Sequence, residues 1–553
     1  MPTKVETHSH RLRRQHHSKH RTNKHTATRS SHTDTTERDH NTATPNESES
    51  DHDHDEDEDN LDSLEVPSHW ANEHGTAFKN PWPSAQIPSL HEMWSGGFIV
   101  GWAKPRQKLE SDRRARELEV VKPDWGEAKG ATARGGRGDR FTRTSNDGNN
   151  GNNARDGSGG KLMMGTWLGH AGAFVEMPWG HDGLKRHQNT FKMLFDPIFS
   201  GRAGPTAYTG PARYRPSPCE VEDLPGCDAL FISHNHYDHL DLSSIQAVLD
   251  RFPDCKYFVP LGKRSITTML TKILLNPAPP SFAGNKSWFT STGIPADNIF
   301  EMDWWENVEL TPQDVGQILS TTDTSSTKTL SNASSMRITC VPAQHNSGRT
   351  GIDSGSTLWC GWVVEHFIET KDQPSSSSSN ADSDKGDKSK AATRTTRRGA
   401  LYFAGDTGYR RHRMSKAVCP AFKADIGDKY GPFDLSFIPI WRGGSLGFVS
   451  WLGLRLHHEN IPSGLHGSPT DAVSIHLETR SRNTIGVHFG TFIGAENESL
   501  EAIIELNEAC TSAGISQLED ELPHDGDKVE KGRMGVIDLG ETIVVEIEDI
   551  VVC

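Results

Sequence analysis

Phe231-Ile232-Ser233-His234-Asn235-His236-Tyr237-Asp238-His239-Leu240-Asp241 is the stretch on which the reading of this chain turns. It closes an apolar run, Asp228-Ala229-Leu230-Phe231-Ile232, that reads as a buried strand, and then sets three His and two Asp within eight residues. In extended chain, residues two apart face the same way, so His234 and His236 can grip one ion together. A turn into helix near Asp238 would carry that carboxylate and His239 to a second position beside the first. Imidazole nitrogens with a carboxylate suit zinc, with iron or manganese as alternatives. A polar turn after a strand is the plainer reading, but four potential ligands at this density are costly to place without a purpose.

Strand-like runs recur on both sides of this stretch, and most end in a polar residue of interest. Gly165-Thr166-Trp167-Leu168 leads to His170, and Lys192-Met193-Leu194-Phe195 leads to Asp196. Met336–Val341 leads to His345, Ala400-Leu401-Tyr402-Phe403-Ala404 to Asp406, and Thr484-Ile485-Gly486-Val487 to His488. Lys256-Tyr257-Phe258-Val259-Pro260 has no such partner. Helical stretches such as Ser243–Arg251 and Leu500–Ala513 intervene. Strands alternating with helices, with functional groups at strand ends, predict an α/β architecture of two sheets sandwiched between helices.

Composition sets the limits of that core. Only 33% of the 553 residues are hydrophobic, and long tracts cannot bury a core. Residues 1–75 are expected to form a disordered tail, His-rich and basic at first and then acidic through Asp51–Asp59. Low-complexity insertions are expected at about 128–160, 320–335 and 371–398, which leaves one hydrolase-sized domain over 76–553. The eight Cys are scattered without a C-x-x-C pair, which favours an intracellular, reducing location. The cytoplasmic face of a membrane is favoured; the Arg- and Ser-rich, acid-poor first thirty residues leave a mitochondrial destination open. No run is long enough to span a bilayer, so any membrane contact is expected to be peripheral. A net charge of −15 argues against a nucleic-acid partner.

Each of His345, Asp406 and His488 alone reads as a hydrogen-bonded cap at a strand end. In company with 234–239, the order H-x-H-x-D-H…H…D…H reads as one metal centre, in which two ions need about three protein ligands each and a shared solvent. His345 can complete the first position, His488 the second, and Asp406 can bridge them.

That order resembles the metallo-β-lactamase superfamily. Within it the wording is similar to the N-acyl-phosphatidylethanolamine-hydrolysing phospholipase D family. The shared stretches include Asn80-Pro81-Trp82-Pro83, Thr166-Trp167-Leu168-Gly169-His170-Ala171, Asp196-Pro197-Ile198-Phe199-Ser200, Asp303-Trp304-Trp305, Gly405-Asp406-Thr407-Gly408-Tyr409 and His488-Phe489-Gly490-Thr491-Phe492. The resemblance implies a metallo-β-lactamase αβ/βα sandwich, two mixed β-sheets flanked by helices. It implies two Zn2+: His234, His236 and His345 on the first, Asp238, His239 and His488 on the second, and Asp406 between them. It places His466 near the substrate phosphate and Tyr237 in the pocket wall, and it makes Asp238, Asp406 and His466 the catalytic set.

The implied activity is hydrolysis of an N-acylated phospholipid at a membrane surface by a solvent activated between two metal ions, giving N-acylethanolamine and phosphatidic acid. Arg410 and Arg411, just after Asp406, are expected to attract the anionic headgroup, with a solvated basic loop as the alternative. A homodimer is left open. Two segments depart from the family wording: Arg410–Val418, and Trp441–Pro462 with its Phe448, Trp451 and Leu452. The Trp441–Leu456 part of the second is expected to face lipid, while the aromatic arm over residues 82–102 is expected to pack on the core, with lipid contact as its alternative. A soluble hydrolase of another ester, lactone or phosphodiester is the alternative activity, and a non-enzymatic scaffold a third.

Overall fold

The computed structural model describes residues 66–86, 100–102, 105–126, 162–179, 190–262, 285–315, 333–349, 353–371, 393–411, 415–441, 454–456, 464–493, 496–518 and 531–552. The insertion expected at 128–160 lies outside them, as do most of the expected tail and nearly all of Trp441–Pro462. The described residues from Ser68 onward belong to one compact unit.

The strands run, in chain order, β1 (Val100–Trp102), β2 (Leu162–Gly169), β3 (Gly172–Pro178), β4 (Thr190–Phe195), β5 (Ala229–Phe231), β6 (Lys256–Pro260) and β7 (Ile299–Met302). There follow β8 (Asn307–Leu310), β9 (Ala333–Pro342), β10 (Cys360–Lys371), β11 (Thr393–Phe403), β12 (Leu435–Pro439), β13 (Leu454–Leu456) and β14 (Asn483–Val487). The last are β15 (Arg533–Gly535), β16 (Thr542–Glu546) and β17 (Asp549–Val552). Among the described residues they build two large mixed sheets, as expected. The first, in the order β16-β2-β3-β4-β5-β6-β7, is antiparallel up to β4 and parallel beyond it. The second, β15-β14-β12-β11-β10-β9-β8, is parallel up to β11 and antiparallel beyond it, with β17 against the outer end of β11.

Aromatic side chains fill the space between the sheets. Phe195 stacks on Phe231 at 4.5 Å and on Phe403 of the other sheet at 4.8 Å, and Trp362 meets Phe231 edge-on at 5.6 Å. β5 is buried on both faces, as a central parallel strand must be. Leu230 and Ile232 point outward beneath the helix Leu242–Arg251, which lays Ile245 and Val248 on them. Asp241 caps that helix by accepting from the Ser244 backbone N–H. On the second sheet the helices Pro469–Glu478 and Glu496–Ala513 bring Ala472, Ile475, Ile503 and Leu506 to the core. Ser468 and Asp471 form a capping box on the first of these, with Pro469 at its first turn.

Three expected boundaries are corrected. Ordered chain begins before residue 76: buried His69 and Trp70 both bond the Asp303 carboxylate, at 2.7 and 2.9 Å. Residues 333–335 open β9 rather than closing an insertion, and Thr393–Arg398 is strand, paired with β10 on one side and β17 on the other. The Ser/Thr/Arg composition misleads because β11 extends past the core, so its first residues, Thr393 and Arg394, are exposed. The arm over 82–102 divides: Trp82 stacks on Trp304 at 5.4 Å, whereas Trp102 is 75% exposed. β1, at the end of that arm, pairs with β13 from the expected lipid-facing insertion.

Candidate metal centre

All of the site's side chains but His466 leave the C-terminal end of a strand. His170 follows β2, Asp196 follows β4, and His234 to His239 follow β5. His345 follows β9, Asp406 follows β11 and His488 follows β14. After β5 the chain turns at 236–239, with the amides of His239 and Leu240 both donating to the His236 carbonyl, but the helix expected near Asp238 starts only at Leu242. Gly405 lets Asp406 in: its φ is +60°, and a Cβ there would lie 2.6 Å from the Ser233 Cβ and 2.8 Å from the Cys360 carbonyl.

All seven expected ligands converge. His236 Nδ1 lies 2.8 Å from His234 Nε2 and 3.4 Å from His345 Nε2. Beside them His239 Nε2 and His488 Nε2 are 3.3 Å apart, with Asp238 Oδ2 at 3.7 Å from the first and 3.9 Å from the second. Asp406 Oδ2 stands between the two groups. It is 3.9 Å from His234 Nε2, 3.7 Å from His345 Nε2, 3.2 Å from His239 Nε2 and 2.9 Å from His488 Nε2. His466, half-buried at the edge of the cluster and stacked on Trp441, brings its Nε2 to 3.2 Å from the same oxygen.

The donor set fits metal ions on the chain's own geometry. Donors about 2.1 Å from a tetrahedral zinc stand about 3.4 Å from one another, close to the spacings within each group. The ring nitrogens that face away are held as metal-binding imidazoles require. His345 Nδ1–H donates to the Leu465 carbonyl at 2.7 Å, and His239 Nδ1–H donates to Asp196 Oδ2 at 2.8 Å. Ser233 Oγ donates to Asp196 Oδ2 at 2.6 Å, so at 2.9 Å it must accept from His234 Nδ1–H, leaving His234 Nε2 bare. Asp406 Oδ1 is buried and makes no hydrogen bond among the described residues, an arrangement that a cation would relieve.

Electrostatics agree. Burial acts against the charged forms of Asp406 and Asp238, yet the neighbouring His239 holds both carboxyls well below the usual range, helped by His488 and His170 respectively. Burial pushes His234 and His345 well down, so both are neutral ligands. His239 goes the other way: despite burial, Asp406, Asp238 and Asp196 together hold it well above its usual value. A metal ligand must give up that proton, and protonated His239 competes with the ion. Metal uptake by metal-free protein at neutral pH should therefore release about one proton per chain, and binding should weaken as pH falls. A pH indicator in weakly buffered solution measures the release, and uptake without it would contradict this charge state.

The sequence missed His170 and Asp196 as parts of the site. His170 Nε2 is 2.9 Å from Asp238 Oδ2, and burial and then His488 lower this imidazole to about 4. Asp196, fully buried and pushed up by that burial, orients His239 directly and His234 through Ser233. Position after a strand was the one available signal. His170, Asp196 and His488 carry φ of +50°, +39° and +65°, the left-handed backbone that sharp exits from a sheet edge demand.

Arg410 and Tyr237 each have a charged partner within the chain. Arg410 Nε is bonded to Asp471 Oδ1 at 2.5 Å, a buried carboxylate at a helix start. Tyr237 is half-buried and its ring is covered by the Arg349 guanidinium at 4.4 Å. Arg411 follows on the same loop, and residues 412–414 lie outside the described chain.

The family model described as "Beta-lactamase superfamily domain" matches residues 192–489, a span that includes all seven expected ligands and excludes His170. An N-acyl-phosphatidylethanolamine-hydrolyzing phospholipase D of Caenorhabditis elegans is 30% identical over 350 residues, 63% of this chain and 69% of its own. A mitochondrial protein of the same description from Saccharomyces cerevisiae is 23% identical, over 75% of this chain and 67% of its own. An uncharacterised protein of Mycobacterium tuberculosis is 28% identical over 59% of this chain and 58% of its own. Among solved structures, a metallo hydrolase of Ignicoccus hospitalis aligns over 70% of this chain and all of its own, at 16% identity and a TM-score of 0.33.

Proposed function

This chain belongs to the β-lactamase superfamily and, within it, to the family of the C. elegans N-acyl-phosphatidylethanolamine-hydrolyzing phospholipase D, and from there we propose that it hydrolyses N-acyl-phosphatidylethanolamine with two zinc ions. The observation that carries the reading is the placement of two three-residue donor groups on either side of one oxygen, Asp406 Oδ2. His234, His236 and His345 would hold one ion, and Asp238, His239 and His488 the other. Bound there, the ions supply Lewis-acid charge for the phosphodiester and lower the pKa of water.

The chain's own groups do the rest. Asp196 fixes which nitrogens of His234 and His239 face the site, and His170 holds the Asp238 carboxylate from behind. His466 Nε2 is placed to bind a phosphoryl oxygen or to pass a proton to the leaving alcohol, while Trp441 fixes the plane of its ring. No described helix is long and apolar enough to cross a membrane. The ribbon of β1 and β13, with Trp102 exposed on it, supports contact with a lipid surface.

The test is to incubate purified protein with vesicles of N-acylated and ordinary phosphatidylethanolamine, and separately with an acyl lactone. N-acylethanolamine and phosphatidic acid by mass spectrometry are the expected products. Released fatty acid, or turnover of the lactone alone, would overturn the lipid reading.

A further inference from the structure

Between the end of β5 at Phe231 and the helix that starts at Leu242, the ligand-bearing segment lies in neither helix nor strand. Several of its carbonyls therefore need donors from outside. One side chain supplies two of them. Arg349 donates from Nε to the Asn235 carbonyl and from Nη2 to the Leu240 carbonyl, each at 2.6 Å. These carbonyls bracket His236, Asp238 and His239, and between them the same guanidinium lies 4.4 Å over the Tyr237 ring. The ring centre of Trp288, on the helix Asn285–Ser291, lies 5.6 Å from the same guanidinium carbon.

Arg349 is itself anchored. Its backbone N–H is shared between both Asp353 carboxylate oxygens, at 2.9 and 3.0 Å, and the preceding Gly348 N–H donates to Asn235 Oδ1 at 2.8 Å. Residues 348–349, which follow His345, are thus tied directly to the segment that carries four other ligands.

We propose that Arg349 is the positioning residue of the metal centre: its planar fork sets the separation of the two carbonyls, and with it the spacing of His236, Asp238 and His239, and holds them in register with His345. It touches none of the expected ligand side chains. Lys in its place keeps the charge but has a single nitrogen, which cannot span both carbonyls with the same geometry. The proposal rests on the metal reading of the site.

The test compares full-length wild type with R349K, each stripped of metal and titrated with zinc against a chelator. R349K is expected to bind zinc about 10–100-fold more weakly, the usual range for residues that orient ligands from behind. Its zinc-induced rise in Tm should shrink, while the Tm of the metal-free proteins stays similar. R397K is the structural control, because Arg397 pairs with buried Glu365 in the second sheet. It should lower Tm with and without zinc and leave zinc affinity unchanged. Wild-type affinity in folded R349K overturns the proposal. Should R349K not fold, D353N carries the test, with a several-fold loss expected and an unchanged affinity overturning it. Wild type that takes up no zinc would remove the metal reading itself, a result distinct from either.

Discussion

D406N should lower kcat/KM by about a thousandfold or more while the protein keeps its fold, a loss of about 4 kcal/mol of transition-state stabilisation. Asn matches Asp in shape, so packing is spared. What disappears is the one negative oxygen that four ligand imidazoles and His466 all face, at 2.9 to 3.9 Å. An amide placed there cannot join the two donor groups as a shared anionic ligand. Circular dichroism should be unchanged and bound metal reduced. Activity within tenfold of wild type would mean that Asp406 does not lie at the centre of the chemistry.

W362A should cost about 3–5 kcal/mol of stability, the range for truncating a fully buried Trp. Trp362 is fully buried on β10, fills the gap between the sheets against Phe231 and Phe258, and donates its ring N–H to the Ile232 carbonyl at 3.1 Å. Truncation leaves both a cavity and a buried carbonyl without its donor, two residues before His234. W362F separates the terms, because it restores most of the volume and none of the hydrogen bond. Urea midpoints should rank wild type, then W362F, then W362A. A loss below about 1 kcal/mol for W362A would contradict this packing of the two sheets.

The seven residues that converge were legible in the sequence because their signal is local. His234, His236, Asp238 and His239 lie within six residues, and His345, Asp406 and His488 each follow an apolar run that could be recognised as a strand. The residues that hold them were not legible in the same way. Asp196 orients His239 across 43 positions, and Arg349 reaches Asn235 across 114. Such pairings are set by which strands lie side by side, and no local pattern records that. Arg410 shows the same limit from the other side. A basic residue just after Asp406 invites an anionic ligand, but its carboxylate partner was waiting 61 residues away at the start of the helix Pro469–Glu478. The outer end of β11 reads as an insertion because composition reports burial, and a strand that outruns its core can be as polar as a linker.

The measurement that bears most directly on the metal centre is anomalous diffraction at the zinc edge from zinc-loaded crystals, with metal content per chain measured on the same protein. Two ions per chain are expected, one within bonding distance of His234, His236 and His345, the other of Asp238, His239 and His488, and Asp406 in contact with both. Protein that holds no ion there, or whose zinc sits only on the histidines of residues 1–60, would contradict the account.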